Sequence, residues 1–449
     1  MRPSVLLVLL VAVAAVAAPR VRGQAAIYTP VVDSTSYADS TRSERLNWFA
    51  DAKLGIFIHW GIYAVNGTDE SWAFFNGYMS HDDYLAQRHG FTASKYDPAE
   101  WARMIAGSGA RYSVLTTRHH DGVALWDSQA GGMTTVNDTP AKRDLVAPWV
   151  EAIRAEGLKV GLYYSHSDWS HPDYDVWTSQ RRRYTDDPVR WGRFLAYHET
   201  QLRELTTRFR PDLYWFDGDW EHDAETWRFA GLRDSLFAWQ PSVVLNSRIG
   251  PLGDYATPEQ GVPIVRPDGA WELCMTVNDS WGWQPTDTNF KTPRRLLKIF
   301  ADVIGNGGNL LLNISPRADG TFADEYAGIL REFGRWTTKH AEAIYGTRAG
   351  LPDGHFWGPS TLSADGRTLY LMLPYRPSGP IVVKGLQNTV QRVRVVGTGV
   401  RMDWDVKMKP YWSEKPGMLY IDVPEESLDP EITVVAVLLN SPMEVYRER

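Results

Sequence analysis

Seven short apolar runs, each stopping at or near a polar residue and parted from the next by helix-like sequence, limit the folds open to this chain. They lie at residues 54–60, 112–117, 158–165, 213–216, 243–246, 271–277 and 309–314. The runs are close to continuously apolar, which marks parallel strands covered on both faces. Helical patterns fill residues 42–50, 98–106, 145–156, 225–238, 293–304 and 325–340. A further helix opens at Asp187-Pro188, a cap followed by a first-turn proline. Such alternation predicts an α/β fold, a (β/α)8-like (TIM) barrel. After Tyr345 the character changes. Short β-type runs at 369–373, 381–383, 393–396, 419–423 and 432–439 are separated by Gly, Pro, Asn and Asp. They predict a C-terminal antiparallel β-sandwich. The expected division is a barrel over 26–346 and a sandwich over 347–449.

Residues 1–25 have the make-up of a secretory signal, with Arg2 ahead of an apolar run from Val5 to Ala18. That run is short for a membrane span, which needs about 20 residues. An exported chain, periplasmic or extracellular, is expected, with no membrane span. Cys274 is the only cysteine, so no intramolecular disulfide can form. A net charge of -7 argues against nucleic acid as a partner. The 20 tryptophans among 449 residues exceed ordinary usage and suit both core packing and sugar stacking.

Chemistry-bearing residues recur where the runs end: His59, His119, His120, Tyr163, Asp217, Arg248 and Glu272. In a parallel barrel all strand ends open on one face, so residues distant in sequence converge there. The stretch Leu213-Tyr214-Trp215-Phe216-Asp217-Gly218 delivers an acid at a strand end before a glycine turn, and Asp217 reads as the nucleophile of a retaining glycosidase. The alternative is that the acids after Phe216 only cap the helix at 225–238. Retaining chemistry needs a second carboxyl about 5–5.5 Å from the first. Glu259, in a Gly- and Pro-containing loop, is the preferred acid/base. Glu272, at a strand start beside Trp271, is the alternative and reads equally well as a buried structural acid. The histidines raise a metal reading, with Asp121 and Asp217 as further ligands. No His-x-His or His-Glu-x-x-His spacing supports it, and adjacent His119 and His120 diverge if extended, so no metal or cofactor is expected. Hydroxyl recognition is the better use of imidazoles that both donate and accept.

Phe57-Ile58-His59-Trp60-Gly61, Arg118-His119-His120-Asp121-Gly122, Lys142-Arg143-Asp144-Leu145-Val146, Trp215-Phe216-Asp217-Gly218 and Gly308-Asn309-Leu310-Leu311-Leu312-Asn313-Ile314 together resemble the α-L-fucosidases of glycoside hydrolase family 29. The resemblance runs in consistent order from about Trp48 to Tyr345. It implies an exo-acting retaining enzyme that removes terminal α-L-fucose from oligosaccharides or glycoconjugates by double displacement, on a (β/α)8-like barrel without a metal. It makes Asp217 the nucleophile and His59, His119 and His120 ligands of fucose hydroxyls, with Trp72, Tyr163, Trp215 and Arg248 as further pocket residues. Thr257-Pro258-Glu259-Gln260 is similar to the branch that prefers α-1,3/1,4-linked fucose, which implies Glu259 as acid/base. Arg118, Val123 and Ser71 depart from the usual Lys, Phe and Glu. The competing functions are a fucose-binding protein without catalysis and a metal-dependent barrel hydrolase.

Overall fold

The computed structural model of the chain describes residues 41–446; the expected signal segment lies outside them. All seven apolar runs form strands: β1 (Leu54–Ile58), β2 (Tyr112–Arg118), β3 (Lys159–Ser165), β4 (Leu213–Asp217), β5 (Val244–Leu245), β6 (Glu272–Thr276) and β7 (Asn309–Ile314). They build one parallel sheet in the order β5-β4-β3-β2-β1-β7-β6. α1 (Arg42–Ala52) precedes β1, and helices pack on the outer face of the sheet, among them α2 (Pro98–Gly107), α3 (Val146–Ala155), α4 (Pro188–Phe209), α5 (Phe229–Trp239), α6 (Pro293–Gly305) and α7 (Asp324–Lys339). Side chains of Asp97, Asp187 and Thr292 accept backbone N–H groups at the starts of α2, α4 and α6, each ahead of a proline. Caps of this kind are worth about 1 kcal/mol each.

The gap between β5 and β6 is bridged by residues 254–260, which have the composition of a loop. Tyr255 bridges Asn246 on one side; Ala256 and Glu259 bridge Trp271 and Cys274 on the other, all in parallel. Backbone bonds from Asp254 N to Leu245 O, Cys274 N to Pro258 O and Gln260 N to Cys274 O tie the segment down. It serves as an irregular eighth stave and carries Glu259 on the sheet itself.

Alternation along the strands divides the side chains between two cores. Phe57, Tyr112, Val114, Tyr163, Leu213, Trp215, Val244, Tyr255, Cys274 and Leu311 fill the lumen, closed below by Phe49 and Ala52 of α1. Ile56, Ile58, Leu162, Phe216, Leu273 and Leu312 face the helices. The helix expected at 225–238 starts later, at Phe229. Asp223 caps a separate turn through Thr226 N (2.7 Å), and Arg228 then takes a left-handed φ of 54° that interrupts the spiral.

Beyond Arg348 two antiparallel sheets stack, five strands against three. Leu369, Leu371, Val393, Val435 and Val437 of the larger sheet meet Ile381, Val383, Leu419 and Ile421 of the smaller. Alternate residues Tyr370, Met372, Val434 and Ala436 turn the other way and join the core shared with the barrel. No helix among the described residues is long and apolar enough to cross a membrane.

Candidate active site

Period-two alternation decides what reaches the barrel mouth. On β4, Leu213 and Trp215 point inward, so Asp217 does too, at the C-terminal rim. Ser165 of β3 lies abreast of it. Gly218 follows with φ 76°, and a Cβ there would crowd Ser167 Oγ at 2.8 Å, so this turn needs glycine.

Both oxygens of the Asp217 carboxylate are held. Arg248 Nη1 donates to Oδ1 at 2.5 Å and Tyr163 OH to Oδ2 at 2.9 Å. Burial opposes ionisation, but Arg248, His120 and Tyr163 outweigh it and hold the carboxyl below the usual range. Asp217 is thus held as an anion in a fixed orientation. The second amino group of the same guanidinium, Nη2, donates to Glu259 Oε2 at 2.9 Å. One planar side chain therefore touches two carboxylates, one from β4 and one from the eighth stave. Their surroundings differ: the Asp217 side chain is 12% exposed and that of Glu259 38%. Glu259 Oε1 is not engaged by Arg248.

Three imidazoles face these acids. His59 Nδ1 donates to Asn313 Oδ1 at 2.7 Å, and Asn313 Nδ2 donates to Trp281 O, which fixes the amide orientation. His59 Nε2 is then a bare acceptor. Ser165 Oγ donates to Ser167 O, so His120 Nδ1 must donate to Ser165 Oγ at 2.5 Å. Its Nε2 is buried without a partner, 3.5 Å from Asp217 Oδ2. An orphaned acceptor beside a carboxylate is filled when a ligand hydroxyl enters between them. His119 Nδ1 pairs with Ser71 Oγ at 2.7 Å. Burial drives all three imidazoles toward the neutral form, His59 and His120 to about 4 and His119 well below its ordinary value.

His119 and His120, expected to diverge, share the site with ring centroids 4.3 Å apart. The strand stops at Arg118 and the chain turns, with Gly122 N donating to His119 O. The alternation rule no longer applies there. Their imidazoles and Asp217 present ligand atoms within 4.8 Å of one another. The donor set fits a cation poorly, because the Arg248 guanidinium already occupies the carboxylate.

Aromatic rings line the remaining walls. Trp215 is 3% exposed and lies under the guanidinium, 4.5 Å from ring centroid to Arg248 Cζ. Tyr163 stacks on Trp215 at 5.8 Å, and Trp72 meets His120 edge-on at 5.6 Å. Glu272 is not at the mouth. It lies lower in the lumen, fully buried, with Oε1 accepting from Trp215 Nε1 at 3.0 Å and Oε2 from Tyr112 OH. Burial raises it to about 7, and its visible task is to hold the indole of Trp215. Asp121 accepts from Tyr84 OH and Val123 N and supports the turn. The sequence reading passed over Asn313 and Trp281, whose ring centroid lies 4.9 Å from that of His59 at a tilt of 36°. Asn313 was findable, since it continues the inward series Asn309, Leu311 on β7; Trp281 sits in a loop that carries no periodic signal.

The sequence profile described as α-L-fucosidase matches residues 23–342 of the chain. The α-L-fucosidase of Branchiostoma floridae is 33% identical over 336 residues, which is 67% of this chain and 72% of that one. Among solved structures, α-L-fucosidase isoenzyme 1 from Paenibacillus thiaminolyticus superposes with a TM-score of 0.81 at 32% identity, covering 89% of this chain and 100% of its own. A family 29 α-L-fucosidase from Bacteroides thetaiotaomicron, trapped as a covalent intermediate with 2-fluoro-fucosyl fluoride, gives 0.79 at 28% identity, over 89% and 96%.

Proposed function

The chain belongs to the α-L-fucosidase family, glycoside hydrolase family 29, and on that footing we propose that it is an exo-acting retaining enzyme with Asp217 as nucleophile and Glu259 as acid/base. It is a glycoside hydrolase. The observation that carries the assignment is the single guanidinium of Arg248 touching both carboxylates. Asp217, anionic and backed by Tyr163, attacks the anomeric carbon while Glu259 gives a proton to the departing glycosidic oxygen. The β-linked fucosyl ester so formed is opened by water, whose proton Glu259 takes back. The covalent intermediate trapped in the Bacteroides thetaiotaomicron relative supports double displacement. His59, His119 and His120, neutral and backed by Asn313, Ser71 and Ser165, bind the fucose hydroxyls, with Trp72, Tyr163 and Trp215 shaping the walls.

The substrates are fucosylated oligosaccharides or glycoconjugates, with α-1,3 and α-1,4 linkages preferred on the strength of the Thr257-Pro258-Glu259-Gln260 match. Rates on α-1,2-, α-1,3-, α-1,4- and α-1,6-fucosylated oligosaccharides test that preference, and faster cleavage of α-1,2 or α-1,6 would refute it. In this reading residues 1–25 direct export, 26–346 form the catalytic unit and 347–449 the accessory one. The central test is Asp217→Gly. Hydrolysis of an aryl α-L-fucoside falls by about 10³-fold or more, and sodium azide restores phenol release with β-L-fucosyl azide as product. Undiminished hydrolysis would remove Asp217 from the role. The competing reading, a metal-dependent hydrolase, has the proximity of His119, His120 and Asp217 in its favour and the guanidinium on the carboxylate against it; rates insensitive to a strong chelator dismiss it.

A further inference from the structure

Beyond the nucleophile the chain does not simply turn away. Residues 218–223 are pinned against the loop that follows β3. The Glu221 carboxylate accepts from Ser167 Oγ at 3.0 Å, from Trp169 Nε1 at 3.0 Å and from Tyr174 OH. Trp227 Nε1 donates to Asp219 O at 3.1 Å. Between these two anchors lies Trp220, whose indole remains 41% exposed. Isolated exposed apolar residues are ordinary on a protein surface. This one differs in being fixed on both sides and in where it is fixed. Its ring lies 5.6 Å from that of His120, at 78°, and nearly parallel to Trp72, 6.0 Å away at 16°.

His120 stands between Trp220 and Asp217, its Nε2 3.5 Å from the carboxylate. The indole therefore flanks the end of the pocket where an anomeric carbon must lie to be attacked. A fucose unit in the pocket is surrounded by buried groups, His59, His119, His120 and Tyr163, and has no need of an exposed ring. We propose that Trp220 is the platform of a leaving-group subsite, stacking against the pyranose to which fucose is bonded. The inference rests on the fucosidase reading above, since Asp217 defines which end of the pocket holds the scissile bond. The ligand class is a neutral pyranose presenting axial C–H groups, for which a flat, partly exposed indole offers dispersion contact without a charge partner.

The experiment compares a substrate that fills the subsite with one that cannot. kcat/KM is measured for a fucosylated trisaccharide and for α-L-fucosyl fluoride, whose leaving group is a single atom, in the wild type, Trp220→Ala and Trp220→Phe. The expected result is that Trp220→Ala lowers the trisaccharide-to-fluoride ratio by about tenfold, the scale of one aromatic contact, with most of the change in KM. Trp220→Phe recovers a large part of it. Equal losses on both substrates would make Trp220 part of the fucose pocket wall and overturn the subsite, as would an unchanged ratio. Failure of the wild type to release fluoride would instead overturn the underlying fucosidase reading.

Discussion

Asp217 and Glu272 are both inward-facing acids of the lumen, yet their surroundings send them in opposite directions. Asp217 has a cation in contact and stays ionised. Glu272 has only the neutral donors Tyr112 and Trp215, and burial keeps it largely protonated up to about 7. Glu259 is the carboxyl that shares the guanidinium with Asp217. Two substitutions separate these roles. Glu259→Gln removes the proton donor, so sugar fucosides are slowed by about 10²-fold or more, while release of fluoride from α-L-fucosyl fluoride, which needs no proton, is slowed far less. Glu272→Gln keeps an acceptor for one of the two donors and leaves the mouth intact. Its cost is about 1 kcal/mol of stability for the weakened hydrogen bond, read as a lower midpoint in denaturant, with kcat on the sugar substrate retained within a few-fold. If Glu272→Gln shows the leaving-group dependence and Glu259→Gln does not, the two assignments are reversed.

At the scale of elements, what was legible followed the period of the strand. Phe57 and His59, Trp215 and Asp217, Leu311 and Asn313 are inward pairs two residues apart, so apolar lumen and polar mouth are written in one alternation. The rule fails where the strand stops. His119 and His120 converge because the chain turns at Gly122, and Glu259 is on a stave made of single bridges whose proline and glycine neighbours give it the composition of a loop. The ends of β4 and of β5 are joined by a device no sequence pattern announces. His166, the residue after β3, donates its backbone N–H to Asp217 O at 2.7 Å, and its Nε2 lies 3.0 Å from Arg248 O. A carbonyl only accepts, so Nε2 carries the hydrogen, and Nδ1 must accept from His198 Nε2 of α4 at 3.0 Å. His198 thereby sets the tautomer that holds the Arg248 backbone and acts as a positioning residue. His198→Phe removes that donor, leaves His166 Nδ1 buried without a partner and loosens the ring that holds the Arg248 carbonyl, so that the guanidinium drifts from both carboxylates. The expected effect is a fall in kcat of about tenfold, the scale of one misplaced buried hydrogen bond, with KM changed less. His198→Gln, which can still donate, restores most of it. Loss of kcat and KM alike in both variants, with a lowered melting temperature, would mean that the pair serves packing alone.

Across the whole molecule the buried titratable groups predict how stability follows pH. His59, His120 and His340 are pushed from 6.5 to about 4 and His166 to about 3, all chiefly by burial, with His119 and His198 further below. Each is neutral in the folded chain but takes a proton in the unfolded one once the pH drops under 6.5, so each costs stability on the acid side. Glu70 and Glu272, raised by burial from 4.5 to about 7, and Asp121, raised from 3.8 to about 6, act in the other sense. The unfolded chain releases their protons first, and stability falls as the pH climbs through 4.5 to 7. Between those limits six imidazoles oppose three acids, so the imidazoles decide the slope and stability rises with pH. Above 6.5 the imidazoles no longer contribute and the two glutamic acids still do. Asp217, depressed by Arg248, adds stability that is lost only below the ordinary carboxylate range. The melting temperature should therefore rise steeply from pH 4.5 to 6.5 and level off around neutrality. Glu272→Gln should steepen the rise between pH 4.5 and 6.5, because that carboxyl opposes the imidazoles there. Calorimetry across that range is decisive: a melting temperature that holds steady from pH 6.5 to 5 would mean that the imidazoles ringing the catalytic acids are charged in the native chain, and the neutral, hydroxyl-binding role given to them would fall with it.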